Sequence, residues 1–317
     1  MSSHRIRIGI SACLLGQPVR YNAGHKHSAL CTGLLGDYFE FIPRCPEQAI
    51  GLGTPRQPIR LVGDPAAPRV RGTVDAELDV TAALHAYGHR TAAESGDING
   101  YILMQKSPSC GMERVKVYRE NGSPAPATGR GAFAAALMRA RPELPVEEEG
   151  RLHDPVLREN FITRVFAHAR WQQLISNGLT RKDLLRFHQR YKYQLMASNR
   201  EEYRRLGRMV AQIGTQPLTE FAPVYFRQLM LALSKPATRG SHTNVLQHIC
   251  GYLKHVLSRA EKQELQRLID QYRNGIVPLV VPLTLIKHHF RRHPDSYIDG
   301  QAYLQPHPEE LGLRNAL

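Results

Sequence analysis

Three of the five cysteines have sequence contexts that suit chemistry. Cys13, Cys45 and Cys110 each follow a predicted strand, and Gly or Pro lies within the next three residues. Glu47 lies two residues after Cys45, and Ser107 lies three residues before Cys110. Because thiolates are soft ligands and good nucleophiles, cysteines gathered from distant strand ends indicate a metal or cluster site, or a reactive centre.

The spacing of these cysteines distinguishes several kinds of site. A structural zinc site usually takes four ligands in short paired spacings, and this chain has no Cys-x-x-Cys pair. A disulfide and a set of small buried side chains remain alternatives. An iron–sulfur cluster suits thiolate ligands and can be held at three corners, which leaves one iron free for a soft donor such as sulfur.

Two polar residues beside the cysteines are candidate catalytic groups. A Glu47 carboxylate next to a cluster can act as a general base on water, and a Ser107 hydroxyl can orient that water or relay a proton. The simpler interpretations are a solvated loop carboxylate and a turn serine before Pro108. Residue type alone does not decide between them.

Short apolar strands alternate with helical segments in the first half of the chain. This pattern predicts a Rossmann-like α/β domain with a largely parallel sheet, placed at residues 1–145. The three cysteine motifs come just after strands, and ligands bind at that edge of an open α/β sheet. The predicted strands are 5–11, 38–43 and 99–104, and the predicted helices are 79–87, with Asp79 as N-cap, and 131–139.

The second half is predicted to be all helical. Residues 141–150 contain two prolines and a run of acids, which indicates a domain boundary. Beyond it apolar residues recur at helical spacing, so we expect an all-α helical domain over residues 151–317. The predicted helices cover 153–175, 180–197 with Thr180 as cap, 200–213, 219–233, 243–257, 260–273 and 282–292.

Charge is divided unevenly between the two halves. Residues 1–150 carry 17 Lys and Arg against 15 Asp and Glu, whereas residues 151–317 carry 25 against 13. This excess indicates a polyanionic partner, with nucleic acid favoured over a membrane surface, although a solvated surface is the simpler alternative. Tyr191 and Tyr193 flank Lys192, so one of their rings can stack on an exposed base. The candidate RNA-binding cations are Arg181, Lys182, Arg186, Arg190, Lys192, Arg204, Arg205 and Arg208.

Neither a membrane segment nor a secretory signal is predicted. No apolar run approaches the roughly 20 residues of a membrane helix, and the N-terminus lacks an apolar signal core. We therefore expect a cytoplasmic protein with no membrane partner. That reducing compartment favours cysteines as ligands or nucleophiles over disulfides, and their odd number agrees.

Six segments of the first half occur together in a specific order. They are Ser11–Gly16, Cys45–Glu47, Gly51–Arg56, Asp79–Thr81, Ser107–Gly111 and Gly129–Gly131. With them, residues 5 to about 140 resemble the thiouracil desulfidase family. The resemblance implies a 4Fe–4S cluster on Cys13, Cys45 and Cys110, whose unliganded iron takes the sulfur of a thiocarbonyl substrate. It also implies that Glu47 and Ser107 are the catalytic acid/base pair of a hydrolytic desulfuration.

Residues 151–317 resemble the helical domain that is often appended to this family. Fused proteins of this type look like tRNA 4-thiouridine desulfidases, which return the thiolated base to uridine, so tRNA is the implied partner. Two alternatives stay open. One is a desulfidase of free thiouracil or a thionucleoside, with the helical domain used for oligomerisation. The other is a non-enzymatic RNA-binding protein with a structural cluster. Cys31 is expected to be unliganded, because a fourth thiolate would close the reactive iron.

Overall fold

The computed structural model describes residues 5–315 and divides the chain into two compact units. Unit 1 ends at Asp154 and unit 2 begins at Pro155. Unit 1 combines helices with parallel strands and unit 2 is built from helices, so the predicted order of an α/β domain followed by an all-α domain is confirmed.

The strands of unit 1 form two sheets. The first has the order β2-β1-β5-β8 with every pair parallel, and the second has the order β4-β3-β6-β7 with two antiparallel pairs. In the described residues the strands are β1 (Ile6–Ser11), β2 (Phe39–Arg44), β3 (Ile59–Val62), β4 (Arg69–Gly72), β5 (Tyr101–Leu103), β6 (Val115–Tyr118), β7 (Pro124–Gly129) and β8 (Val146–Glu148).

The first sheet carries the three predicted strands as β1, β2 and β5. Each predicted strand begins or ends within two residues of the observed one. β1 lies at the centre of this arrangement, pairing with β2 along its whole length and with β5 at Gly9 and Ile10. Since all these strands run parallel, the segments that follow Ser11, Arg44 and Leu103 emerge at the same edge of the sheet.

The second sheet was not predicted. Its strands are only four to six residues long, and β7 has the sequence Pro-Ala-Pro-Ala-Thr-Gly with mostly exposed side chains. β4 and β6 alternate, as Arg-Val-Arg-Gly and Val-Lys-Val-Tyr, but over four residues each, which is too short to predict a strand, and their pairing depends on partners that are distant in the chain. β3 pairs with β4 and with β6, which joins residues near 60 to residues near 117.

The helices of unit 1 are α1 (Pro46–Ala49), α2 (Thr81–Glu94) and α3 (Ala132–Ala140). The N-cap position of α2 is Val80, so the prediction of Asp79 as N-cap is wrong by one residue. Asp79 nevertheless accepts a hydrogen bond from the Thr81 backbone N–H at 3.0 Å. α2 and α3 approach closely at Gly88, where an added Cβ would lie 2.6 Å from the Ala136 Cβ.

Residues 141–150, where the sequence predicted a domain boundary, belong to unit 1. Residues 146–148 form β8, which pairs with β5 in the register Leu103↔Glu148. A short 3-10 segment, Glu149–His153, follows before the units divide. The segment contains acids and prolines, but its parallel pairing with β5 orders it as a strand of unit 1.

Unit 2 contains eight helices among its described residues. They are α4 (Pro155–Ser176), α5 (Arg181–Ser198), α6 (Arg200–Ala211), α7 (Leu218–Leu233), α8 (Arg239–Cys250), α9 (Arg259–Arg273), α10 (Val280–Arg292) and α11 (Ser296–Asp299). Thr180 caps α5 in a reciprocal capping box with Asp183, as its sequence position predicted. α8 begins four residues earlier than predicted, at a second capping box on Thr238, and gives way to a 3-10 segment at Gly251. No helix in the described part of the chain has the length and apolar character needed to cross a membrane.

Unit 2 is expected to lose stability in mild acid. Burial lowers the pKa of both His188 and His242 to about 4, and each ring bonds a tyrosine hydroxyl, that of Tyr225 or Tyr303. Both rings stay neutral in the folded state but take up a proton near pH 6.5 when unfolded. The contribution of these two histidines to the free energy of unfolding is therefore fully present above pH 6.5 and is lost as the pH drops from there toward 4. The expected loss is about 2 kcal/mol per histidine between pH 7.5 and pH 5.

Chemical denaturation at these two pH values checks this expectation. The chain has one tryptophan, Trp171, which stacks on Phe226 in the core of unit 2, so its fluorescence reports the unfolding of this unit. A His242→Gln variant should show a smaller difference between the two pH values than the unmodified protein. An unfolding free energy that is equal at both pH values would contradict the argument.

Candidate functional site

The predicted site residues line one cavity at the carboxyl edge of the first sheet. Its volume is about 480 Å³, and we call it the thiol cavity. Its wall includes Cys13 from the turn after β1, Cys45 from the end of β2, and Cys110 from the loop after β5. Glu47 and Ser107 line the same cavity. The structure thus brings together residues up to 97 positions apart in the chain, while their chemical roles stay predictions.

Each thiol occupies an environment that resists ionisation. Burial raises the pKa of Cys13 to about 11, and the neighbouring Cys45 raises it as well. Burial also raises the pKa of Cys45, and it raises that of Cys110 well above its usual value. The Ser11 hydroxyl opposes this effect at Cys110, because its hydrogen bond to the sulfur lowers the pKa.

The donor set fits a thiolate-bound metal cluster. The three sulfurs are buried or half-buried, and a thiolate at one position disfavours ionisation of its neighbours. All three can be thiolates together only if a positive group lies nearby. Iron–sulfur clusters take this kind of soft, all-thiolate ligation. Among residues 5–315, no group of three or more His, Cys, Asp and Glu side chains is arranged to hold a single metal ion.

Glu47 is held by two partners at the cavity wall. Cys45 is the N-cap of α1 and Pro46 its first residue, which places Glu47 in the first turn. One carboxylate oxygen, Oε2, accepts from Arg56 Nε at 2.9 Å and lies 2.7 Å from Arg56 Nη2. The other oxygen, Oε1, accepts from Ser109 Oγ at 2.8 Å. The side chains of Glu47 and Arg56 are only 15% and 5% exposed, so this ion pair is well shielded from solvent.

Ser107 organises the loop that carries Cys110. Its Oγ accepts from the backbone N–H groups of Ser109 and Cys110, at 3.2 and 3.0 Å. These bonds occupy both lone pairs of the hydroxyl and leave its proton to donate. Gly111 completes the tight turn, since an added Cβ would lie 2.8 Å from the Ser107 carbonyl oxygen. Among the described hydrogen bonds, the serine joined to Glu47 is Ser109, not Ser107.

Sequence reasoning missed the roles of Arg56 and Ser109. Arg56 lies within one of the six matching segments, Gly51–Arg56, so it was available as a signal. Nothing in its local sequence shows that its guanidinium reaches back nine residues to Glu47. Ser109 lies within the matching segment Ser107–Gly111, but its contact with Glu47 joins positions 62 residues apart.

The exposed rim of the thiol cavity is positively charged. Lys26 and Lys106 are exposed, Arg20 is half-buried, and the Arg20 guanidinium lies 5.6 Å from the ring centroid of Tyr21. Lys106 has a φ of 58°, a backbone conformation that costs a non-glycine residue of order 1 kcal/mol. Unit 1 is nearly neutral as a whole, yet its cations concentrate here, which sequence totals did not reveal.

The two remaining cysteines lie away from this cavity. Cys31 is fully buried, and its backbone N–H donates to Ser28 Oγ. Cys250 is the last residue of α8 in unit 2. Neither residue lines the thiol cavity, and the absence of Cys31 from the ligand set stays a prediction.

The predicted RNA-binding cations lie on α5 and α6. Six of them are exposed: Arg181, Lys182, Arg186, Arg204, Arg205 and Arg208. Arg190 is half-buried and donates to the Gly300 carbonyl at 3.0 Å, and Lys192 is half-buried among tyrosines. Tyr191 and Tyr193 are 3% and 2% exposed, so the expectation that their rings stack on a base is wrong. Both are buried because α5 packs into two cores of unit 2, Tyr191 into one and Tyr193 into the other.

Comparison with known proteins identifies the family of unit 1. Residues 8–149 match the family model described as 2-thiouracil desulfurase. This chain belongs to that family. Residues 192–308 match a second model, described as a protein of unknown function, DUF1722.

Two curated proteins share parts of the chain. The uncharacterized protein YbgA of Escherichia coli (strain K12) is 39% identical over 159 residues, which is 50% of this chain and 94% of that protein. The uncharacterized protein YbbK of Bacillus subtilis (strain 168) is 33% identical over 137 residues, 41% of this chain and 89% of that protein.

One solved structure adds a named activity. It is the [4Fe-4S]-dependent thiouracil desulfidase TudS, with 32% sequence identity over 47% of this chain and 95% of its own, and a TM-score of 0.38. The family assignment of this chain rests on the sequence matches.

Proposed function

We propose that this protein is a desulfidase that returns 4-thiouridine in tRNA to uridine. The observation that carries the proposal is the thiol cavity, in which three thiols and an ion-paired carboxylate from distant segments meet. Cys13, Cys45 and Cys110 hold a 4Fe–4S cluster. A cluster held by three thiolates supplies a Lewis-acidic iron with an open coordination position, which suits a thiocarbonyl sulfur.

Glu47 is the general base in this proposal. Its side chain pairs with Arg56, and a carboxylate in this position can take a proton from water. Arg56 and Ser109 each hold one oxygen, so the carboxylate has a defined orientation toward the cavity. Oε1, which accepts from Ser109, keeps a second lone pair with which it can accept from a water molecule.

Ser107 is the hydrogen-bond donor that complements the Glu47 base in this proposal. Because its lone pairs accept from two backbone N–H groups, its hydroxyl can serve the reaction only by donating its proton. A donor of fixed direction stabilises negative charge that develops on a ring heteroatom during attack at the thiocarbonyl carbon. The overall reaction converts the C=S group and one water into a C=O group and hydrogen sulfide, with no net electron transfer.

Charge favours a polyanionic substrate over a neutral base. Unit 2 supplies a large cationic excess, and six of its candidate cations are exposed to solvent. In unit 1, Lys26, Lys106 and Arg20 surround the cavity, where they suit the phosphates next to a reacting nucleotide. Free thiouracil carries no phosphate and therefore makes no use of these groups.

An anaerobic assay with three substrates tests the proposal. Cluster-loaded protein is given thiolated tRNA, 4-thiouridine or 2-thiouracil, and sulfide release is measured alongside nucleoside analysis of the tRNA. We expect the largest kcat/KM on tRNA, because unit 2 adds binding energy that the smaller substrates do not engage. Turnover of 2-thiouracil or 4-thiouridine with none on tRNA would instead favour a small-molecule desulfidase, the activity named for TudS.

The dependence of tRNA affinity on salt concentration is the control for this assay. Binding through phosphates releases counterions, so log K for tRNA should fall linearly with log salt, with a slope of about −0.7 to −0.9 per contacted phosphate. Turnover of the free nucleoside should change far less over the same range. An affinity for tRNA that does not vary with salt would remove the role assigned to unit 2.

A further inference from the structure

A cluster of aromatic side chains surrounds Lys192 on unit 2. The Lys192 ammonium lies 5.1 Å from the ring centroid of Tyr193 and 5.3 Å from that of Tyr297. Tyr252 stacks on Tyr297 with ring centroids 5.7 Å apart and an interplanar angle of 13°. We call Lys192, Tyr193, Tyr252 and Tyr297 the tyrosine platform.

Tyr252 is the accessible member of the platform. It is 42% exposed, whereas the other Phe, Tyr and Trp residues in the described part of unit 2 are buried or half-buried, including those that line its cores. An exposed aromatic ring is available to stack on a flat ligand.

The surroundings of Tyr252 hold its ring in place. One ring face is covered by Tyr297, with the two ring planes 13° apart. Tyr252 itself lies in the short 3-10 segment Gly251–Leu253, directly after α8. A flat ligand that stacks on this ring therefore loses little side-chain entropy, since the ring is already ordered.

We infer that Tyr252 is a stacking site for an unpaired base of RNA, with Lys192 as the adjacent cation. Aromatic rings beside ammonium groups bind single-stranded nucleic acid in this way, because every base presents a flat face and every nucleotide carries a phosphate. The net positive charge of unit 2 favours an RNA over an uncharged aromatic ligand. This inference rests on the proposed binding of tRNA by unit 2 and names a contact within it.

Binding of tRNA to the full cluster-loaded chain, measured across a series of salt concentrations, tests the inference. Tyr252→Ala should weaken binding about tenfold at every salt concentration and leave the slope of log K against log salt unchanged, because stacking releases no counterions. Arg186→Ala, which removes an exposed cation of α5, should instead make the slope shallower by about 0.7 to 0.9 if it contacts one phosphate.

Three controls separate stacking from structural damage. Tyr252→Phe keeps the ring and loses only the hydroxyl group, so it should bind tRNA nearly as the unmodified protein does. Val256→Ala, at an exposed apolar position four residues along, should have no effect. A fully paired RNA duplex offers no unpaired base within it, so Tyr252→Ala and the unmodified protein should bind it equally.

The outcomes distinguish this inference from the function on which it rests. If the unmodified protein binds no tRNA, the proposed function and the platform both fail. If it binds tRNA and Tyr252→Ala binds equally well, the platform alone is wrong. A loss in Tyr252→Phe as large as in Tyr252→Ala, or a shallower salt slope in Tyr252→Ala, would also overturn stacking, since the effect would then come from the hydroxyl or from a displaced Lys192.

Discussion

Glu47→Gln reduces sulfide release from thiolated tRNA by a factor of about 10² to 10⁴, the usual contribution of a general base. Glutamine keeps the size of the side chain and can still accept from Ser109, but it cannot take a proton from water. The iron and sulfide content of the protein should stay unchanged, because Glu47 is not one of the proposed cluster ligands. Single-turnover measurements on protein matched for cluster content separate the chemical step from cluster loading.

The Glu47→Gln experiment needs a control for stability, because Arg56 loses the partner of its charge. Arg56 is 5% exposed, and Glu47→Gln removes the charge that compensates it, so the variant is expected to lose stability as well as activity. Arg56 keeps hydrogen bonds to the carbonyls of Val19 and Gly53, which limit that loss. Gln48→Ala, at the exposed next position in α1, should retain full activity. Near-normal turnover by folded, cluster-loaded Glu47→Gln would show that Glu47 is not the base.

Replacing Cys13, Cys45 or Cys110 with serine should remove both the cluster and the activity. The proposed donor set consists of these three side chains, so each variant leaves only two thiolates, and an alkoxide is a poor replacement for a soft ligand. We expect the iron content to fall from about four per chain toward zero, with loss of cluster absorbance and of sulfide release. Anaerobic reconstitution followed by iron and sulfide analysis measures this directly.

Cys31→Ala and Cys250→Ala are the matched controls. Both residues lie away from the thiol cavity, so both variants should load a full cluster and keep their activity. Cys31 is fully buried, and its truncation should lower the free energy of unfolding by about 1 kcal/mol. Retention of cluster and turnover by Cys13→Ser would contradict the assigned ligand set, and loss of the cluster in Cys31→Ala would add a fourth ligand.

Local sequence was sufficient to locate the strands that carry the cysteines. The apolar runs before Cys13, Cys45 and Cys110 appear as β1, β2 and β5, and their parallel order brings the following segments to one edge. This prediction works because apolar patterning and Gly or Pro breaks act over a few residues. The capping box on Thr180 is local in the same sense, since its partner Asp183 lies three residues away.

The features that the sequence did not predict depend on contacts between residues that are distant in the chain. β8 lies in a segment rich in acids and prolines and is a strand only because β5 pairs with it. The second sheet likewise depends on contacts between residues near 60 and residues near 117. Tyr191 and Tyr193 were predicted to be surface rings next to a lysine, but α5 packs into two cores of unit 2 and each core buries one of the rings.

The sequence by itself determined the order of the domains, the three cysteines and Glu47 as candidate site residues, and the charge division between the halves. Each of these depends on residue type and short spacing. Only the tertiary structure decided that Arg56 and Ser109 hold Glu47, that cations surround the thiol cavity, and that Tyr252 is the exposed ring of the platform around Lys192. These contacts join positions brought together by packing, and the local chain carries no signal for partners that lie nine or 62 residues away.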